Sequence, residues 1–195
     1  AELERYITPN TIGIAGSGPN YPYGTVDPLE ALSEIAVRRN LPMHVDCCLG
    51  GFVVPFLERA GVKDAPVCDF RLPGVATISA DTHKFGFAPK GTSVVLYRSH
   101  ALRRYQFFTV ADWPGGLYAS PSAPGSKPGN VIAGTWAAMV AHGYEGYVEA
   151  AKAIEANMRK VRDGITAIPG MRILGQPQVC SVAFTSNEVD IYVVL

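Results

Sequence analysis

The chain has 195 residues, 48% of them hydrophobic and 17% charged, and its 17 basic and 17 acidic residues cancel. This composition excludes a disordered chain and gives no bulk electrostatic attraction to nucleic acid or to an anionic membrane. No apolar run approaches the roughly 20 residues that a bilayer span needs.

In chain order, the opening "AELERYITPN" has no basic start followed by an apolar core and does not read as a signal peptide. Residues 11–15, "TIGIA", predict a short buried strand that runs into the loop "GSGPNYPYGTVDP". Asp27 as N-cap and Pro28 at the first helical position predict a helix over "PLEALSEIAVRRN", whose apolar residues at 29, 32, 35 and 36 form a stripe. "MHVDCCLGGF" reads as a strand running out into glycines, "VVPFLERAG" as a helical piece, and "GVATIS" and "TSVVLYRS" as two further strands. Residues 109–130 predict a long irregular segment, of a length that goes with function or an interface. Tyr105 and Trp113 are expected to be packing residues. Helical character then runs over about residues 131–168, with a break near Gly143 and Gly146, until Pro169 and Gly170 end it. "MRILG" and "VCSVAFTS" predict strands of a new unit, so a domain boundary is expected within residues 145–170. The final "VDIYVVL" is β-prone and stops in mid-run, which leads us to expect a piece of a longer chain.

Strand and helix in alternation predict an α/β layer architecture with a mainly parallel sheet. Ligands of such sheets sit at the carboxyl ends of the strands. Ser17, Asp46, Cys48, His83 and Lys84 all fall there. The four cysteines, at 47, 48, 68 and 180, have no metal-ligand spacing. They read as reduced thiols in an intracellular setting.

Lys84, just past a strand and flanked by His83 and Phe85, is expected to be partly desolvated, which lowers its pKa and makes the amine a nucleophile for an aldehyde. The plain alternative is a surface lysine, as a polar loop contact is for His83. Asp46 ends a hydrophobic strand, where a carboxylate costs several kcal/mol unless it is paired; the alternative is a turn or cap residue. Together the two side chains suit pyridoxal phosphate. That cofactor needs a lysine for its aldehyde and a carboxylate to keep its ring nitrogen protonated.

"HVDCCLGGF" followed by "ISADTHKFGFAPKGTSVVLY" resembles the pyridoxal-phosphate-dependent enzymes related to the group II amino-acid decarboxylases, and within them the sphingosine-1-phosphate lyase branch. The likeness extends through "GSGPNYPYGTVDP" and "YQFFTVADWPGGLYASPSAPGSKPG", nearly the whole chain. It implies the three-layer, mainly parallel sheet of the fold type I transferases. Residues 1–145 would belong to the large cofactor-binding domain, and residues 146–195 would form a linker helix and the start of a small α+β domain. The resemblance makes Lys84 the covalent anchor of the cofactor, Asp46 the partner of the pyridine nitrogen, and His83 a contact of the cofactor phosphate. Ser17 would lie near the ring and Cys48 beside it. Lys90, in the lyase-like "FAPKG", would handle the substrate phosphate or move protons. Ser126 and Lys127, in "GSKPG", would approach phosphate, a simple turn being the alternative. Tyr23 stands where some relatives have histidine. Asp81 replaces a serine or asparagine of some decarboxylases, so no phosphate role is carried to it.

The activity so implied is retro-aldol cleavage of a phosphorylated sphingoid base to a long-chain aldehyde and phosphoethanolamine. An amino-acid decarboxylase, or an inactive fragment, is the alternative. The resemblance also implies a homodimer with sites at the interface, and membrane contact only through segments outside this sequence. It places the protein at the endoplasmic reticulum facing the cytosol if eukaryotic, and in the cytoplasm if bacterial.

Overall fold

The structure, a computed structural model, describes residues 2–194. Three strands, β1 (Ile14–Ser17), β2 (Met43–Cys47) and β3 (Val75–Ala80), run parallel, and β4 (Val94–Tyr97) closes the sheet antiparallel to β3. Their order in the sheet is their order in the chain. The pleat explains the sequence pattern: Met43, Val45 and Cys47 point to one face and are buried, while His44 and Asp46 point to the other. The apolar face is covered by α1 (Leu29–Arg39), which buries Leu29, Ile35 and Ala36. Gly16 lets that helix approach, since a Cβ there would crowd the Leu29 and Leu32 side chains. Asn40, in the left-handed region at φ 52°, ends α1.

The sequence places the first strand slightly early: it occupies 14–17, so Ser17 is its last residue. Asp27 does not cap α1 with its side chain. Its carboxylate accepts instead from the Ser17 backbone N–H at 2.7 Å, and Pro28 takes the cap position. Local sequence favours a cap, but the open Ser17 donor ten residues back is the stronger partner. The helix expected from "VVPFLERAG" contracts to α2 (Val54–Leu57), because the chain turns at Gly61, φ 90°, and Val62 N–H closes on the Leu57 carbonyl.

Beyond β4, Ser99 caps a single helical turn, α3 (His100–Arg103), with its hydroxyl accepting from Leu102 N–H. The segment expected to be irregular holds a small hairpin, β5 (Phe108–Val110) and β6 (Tyr118–Ser120). Trp113 packs edge-on to Tyr118 there, at 6.0 Å between centroids. Tyr105 is 74% exposed and does not pack as expected; its hydroxyl accepts from Arg104.

The long helix α4 (Gly129–Thr166) starts and ends two residues before its expected limits and breaks at Gly143, φ 59°, whereas Gly146 stays helical. Its second half buries Tyr147, Val148, Ala151 and Met158; its first half exposes Ile132, Trp136, Val140 and Tyr144. A second hairpin, β7 (Met171–Leu174) with β8 (Ala183–Ser186), follows. The strand expected over "VCSVAFTS" begins only at Ala183, because Cys180 takes a positive φ of 49°. The terminal run is not a strand. Residues of "VDIYVVL" form a helical turn, α5 (Ile191–Val194). Among the described residues no helix is long and apolar enough to cross a membrane.

Candidate active site

The register of the three parallel strands sets Ser17 beside Asp46 and Asp46 beside Ser79. Side chains directly opposite in a sheet share a face, so these groups form one polar row at the carboxyl ends. Ser79 is the member that sequence reasoning missed; only the register reveals it. Its hydroxyl donates to Asp46 Oδ1 at 2.9 Å, and Cys48 N–H donates to the same oxygen at 2.9 Å. Burial pushes the Asp46 carboxyl up, but these two hydrogen bonds outweigh it and hold its pKa below the usual range. Asp46 is therefore ionised at neutral pH. Among the described residues its Oδ2 has no hydrogen-bond partner.

The turn after β3 carries the second half of the site. Thr82 is buried, and its hydroxyl donates to the Thr92 carbonyl at 2.9 Å. The Ala88 N–H returns to the Thr82 carbonyl at 3.0 Å, and a Cβ on Gly86 would strike that same backbone. Thr82 is thus a pin of the turn. His83 Nδ1 lies 2.5 Å from the Thr92 carbonyl, which fixes the proton on that nitrogen and leaves Nε2 as the outward atom. From α4, the Tyr147 hydroxyl donates to the Gly86 carbonyl at 2.9 Å, and Phe87, at φ 58°, stacks near His142 and Tyr147.

Lys84 emerges from this turn with its amine 2.9 Å from Asp81 Oδ2. The Cys48 thiol, just after β2, is an electrostatic neighbour of the same amine. Burial pulls the Lys84 pKa down, as expected from the sequence, but Asp81 and Cys48 reverse the sign and the net shift is upward. The expectation of a lowered pKa is thus corrected, and the cause is Asp81, which sequence reasoning had set aside. The i,i+3 spacing of Asp81 and Lys84 was the available signal. Burial raises the Cys48 thiol despite the opposing lysine, and burial takes Cys180 up to about 12.

Lys90 is exposed in the turn before Thr92. Lys127, also exposed, donates to the Gly91 carbonyl at 3.4 Å, so the two lysines singled out in separate motifs meet at one turn. Ser126 is exposed beside Lys127. Tyr23 is 41% exposed, its N–H bonded to Asn20 Oδ1. The loop that carries it is stitched to the second hairpin: Gln178 and Val179 N–H groups donate to the Gly24 carbonyl at 2.8 and 3.1 Å, and Val26 N–H to Gln178 Oε1 at 2.9 Å.

An amine and an ionised carboxylate with a free oxygen, at neighbouring strand ends of an α/β sheet, fit the aldehyde and the ring nitrogen of pyridoxal phosphate. The chain matches the family model described as the pyridoxal-dependent decarboxylase conserved domain over residues 14–187, and it belongs to that family, whose cofactor is pyridoxal phosphate. More particularly, it is 49% identical over 190 residues to the sphingosine-1-phosphate lyase of Oryza sativa subsp. japonica. That match covers 97% of this chain and 35% of the rice protein. A solved sphingosine-1-phosphate lyase of Burkholderia pseudomallei superposes with a TM-score of 0.91 at 49% identity, over 98% of this chain and 43% of that one. A glutamate decarboxylase of Lactobacillus brevis, at 24% identity, has a TM-score of 0.81 over 98% of this chain and 45% of that one, a likeness of fold. The chain spans about a third of the length of the curated relatives it matches.

Proposed function

We propose that the protein carrying this chain is a carbon–carbon lyase that cleaves a phosphorylated sphingoid base between C2 and C3, releasing a long-chain aldehyde and phosphoethanolamine. The observation that carries this reading is the near-half identity, across almost the whole chain, to proteins named sphingosine-1-phosphate lyases. When bound, pyridoxal phosphate supplies the sink for the electron pair left at C2. Lys84 is its covalent anchor, and Asp46, through the free Oδ2, keeps its ring nitrogen protonated. His83 offers Nε2 to the cofactor phosphate, since Nδ1 is held on Thr92. Ser17, paired with Asp46 across β1 and β2, would lie near the ring, and Cys48 beside it. Lys90, with Lys127 close by, receives the substrate phosphate.

The exposed apolar stripe of Ile132, Trp136 and Val140 supports a homodimer with the site near its interface. The Gly143 break, just before residue 145, supports a division into a cofactor-binding part, 1–145, and the start of a smaller part, 146–195. The four free thiols support an intracellular site of action.

The test is a product assay on the full-length protein. Offered a phosphorylated sphingoid base, it releases a long-chain aldehyde and phosphoethanolamine in equal amounts. Carbon dioxide from an amino acid, with no aldehyde from the base, contradicts the reading.

A further inference from the structure

Asp81 is the residue of the site to which neither the sequence nor the family resemblance gave a role. Its two oxygens are divided between different partners. Oδ1 lies 2.5 Å from the Ser93 hydroxyl, at the entry to β4, and Oδ2 lies 2.9 Å from the Lys84 amine. The Asp81 side chain is only 16% exposed, so solvent screens this pair less than a surface pair. The backbone adds a second constraint, because Lys84 N–H donates to the Asp81 carbonyl at 3.2 Å. His83 Nε2 lies 3.8 Å from the same Oδ2, with its other nitrogen tied to Thr92. A carboxylate here repels a phosphate, so it is not simply a substitute for the serine or asparagine found at this position in some decarboxylases.

We propose that Asp81 is the counter-ion that receives the Lys84 amine whenever that amine is not bonded to the cofactor, holding it charged and in place at the strand end. Asp81 is a positioning residue, and this role rests on Lys84 being the covalent anchor. Held as an ammonium, Lys84 would not compete with the substrate amine as a nucleophile and would be available as a proton donor. Ser93 keeps the carboxylate from following the lysine when the lysine swings away. The other titratable groups around the pair are His83, whose Nε2 is near Asp81 Oδ2, the Cys48 thiol just after β2 and, further off, the Cys180 thiol from the β7–β8 loop. None of these three is an anion at neutral pH, since both thiols are raised and an imidazole is neutral or cationic. Asp81 is therefore the only one of these neighbours able to balance the ammonium.

The experiment uses the full-length protein. In the holoprotein, borohydride reduction followed by peptide mapping first establishes whether the cofactor is carried on Lys84. The cofactor is then removed, and the rate at which Lys84 is acetylated by acetic anhydride is followed by mass spectrometry against pH, in wild type, Asp81→Asn, Asp81→Glu and Ser93→Ala. The midpoint falls by about one pH unit or more in Asp81→Asn. It stays near the wild-type value in Asp81→Glu, which keeps the charge, and falls by less in Ser93→Ala, which keeps both charges but frees the carboxylate. A purely structural Asp81 would change the unfolding temperature without moving the midpoint. An unchanged midpoint in folded Asp81→Asn overturns the proposal. If that variant does not fold, an unchanged midpoint in Ser93→Ala overturns it. Cofactor found on no lysine, or on a lysine other than Lys84, takes down the proposed function and this inference together. Cofactor on Lys84 with an unmoved midpoint takes down this inference alone.

Discussion

Asp46 engages two donors through a single oxygen, and that asymmetry is what makes it useful. Ser79 and Cys48 fix the carboxylate and keep it ionised through one oxygen, and the other is the one proposed to meet the ring N–H. Replacing Asp46 by Asn preserves the volume and an acceptor but removes the charge. In the full-length protein kcat should fall by at least about two orders of magnitude, while the covalent cofactor link persists, which absorbance reports. The same residue makes a pH prediction. Its pKa is lower folded than unfolded, so the stability it contributes is present above the ordinary carboxylate range. That stability is lost as pH falls through the folded value. Acid unfolding followed by circular dichroism should therefore be flatter below about pH 4 in Asp46→Asn than in wild type. Equal slopes would show that the carboxylate is not held as described.

At the scale of elements, the site is a turn held from two sides: by Thr82 on Thr92 and by α4 through Tyr147. Tyr147→Phe keeps the ring stacking and removes one hydrogen bond. It should cost about 1 kcal/mol in thermal unfolding, with the Gly86 carbonyl left to find water. Gly50→Ala should cost more, about 3 kcal/mol, because a Cβ there would run into the Gly18 carbonyl oxygen, which is backbone and cannot rotate away. The long elements of this architecture were legible in the sequence because their patterns are long. α1 shows a helical stripe, β2 and β3 are bounded by glycine and proline, and α4 breaks at one of the two glycines expected. The short ones were not. The strands β5 and β6 have three residues each, too few to show an alternation, and the terminal run has strand-forming residues yet folds as a helical turn. Asp27 defeated a local rule through a partner outside any capping window. In the site, residue identity pointed to Lys84, Asp46 and His83. Ser79 and Asp81 needed the register and the fold of the turn to be seen.

Across the whole molecule, the two faces of α4 differ. The second half is buried against α2 and β7, whereas the first half presents Ile132, Trp136 and Val140 in one line at a four-residue spacing. An apolar line of that kind on a surface helix is an interface signature. For the proposed homodimer, Trp136→Glu in the full-length protein should shift sedimentation from dimer towards monomer and lower activity in proportion. A dimer unaffected by that charge would place the interface elsewhere. Every proposed role in this site nonetheless depends on one proposed covalent link, that of Lys84 to the cofactor. The most direct measurement is borohydride reduction of the full-length holoprotein, then proteolysis and mass mapping. A pyridoxyl group on Lys84, and its complete loss in Lys84→Ala, is the expected result. A pyridoxyl group on Lys90 or Lys127, or a Schiff-base band unchanged in Lys84→Ala, would contradict it.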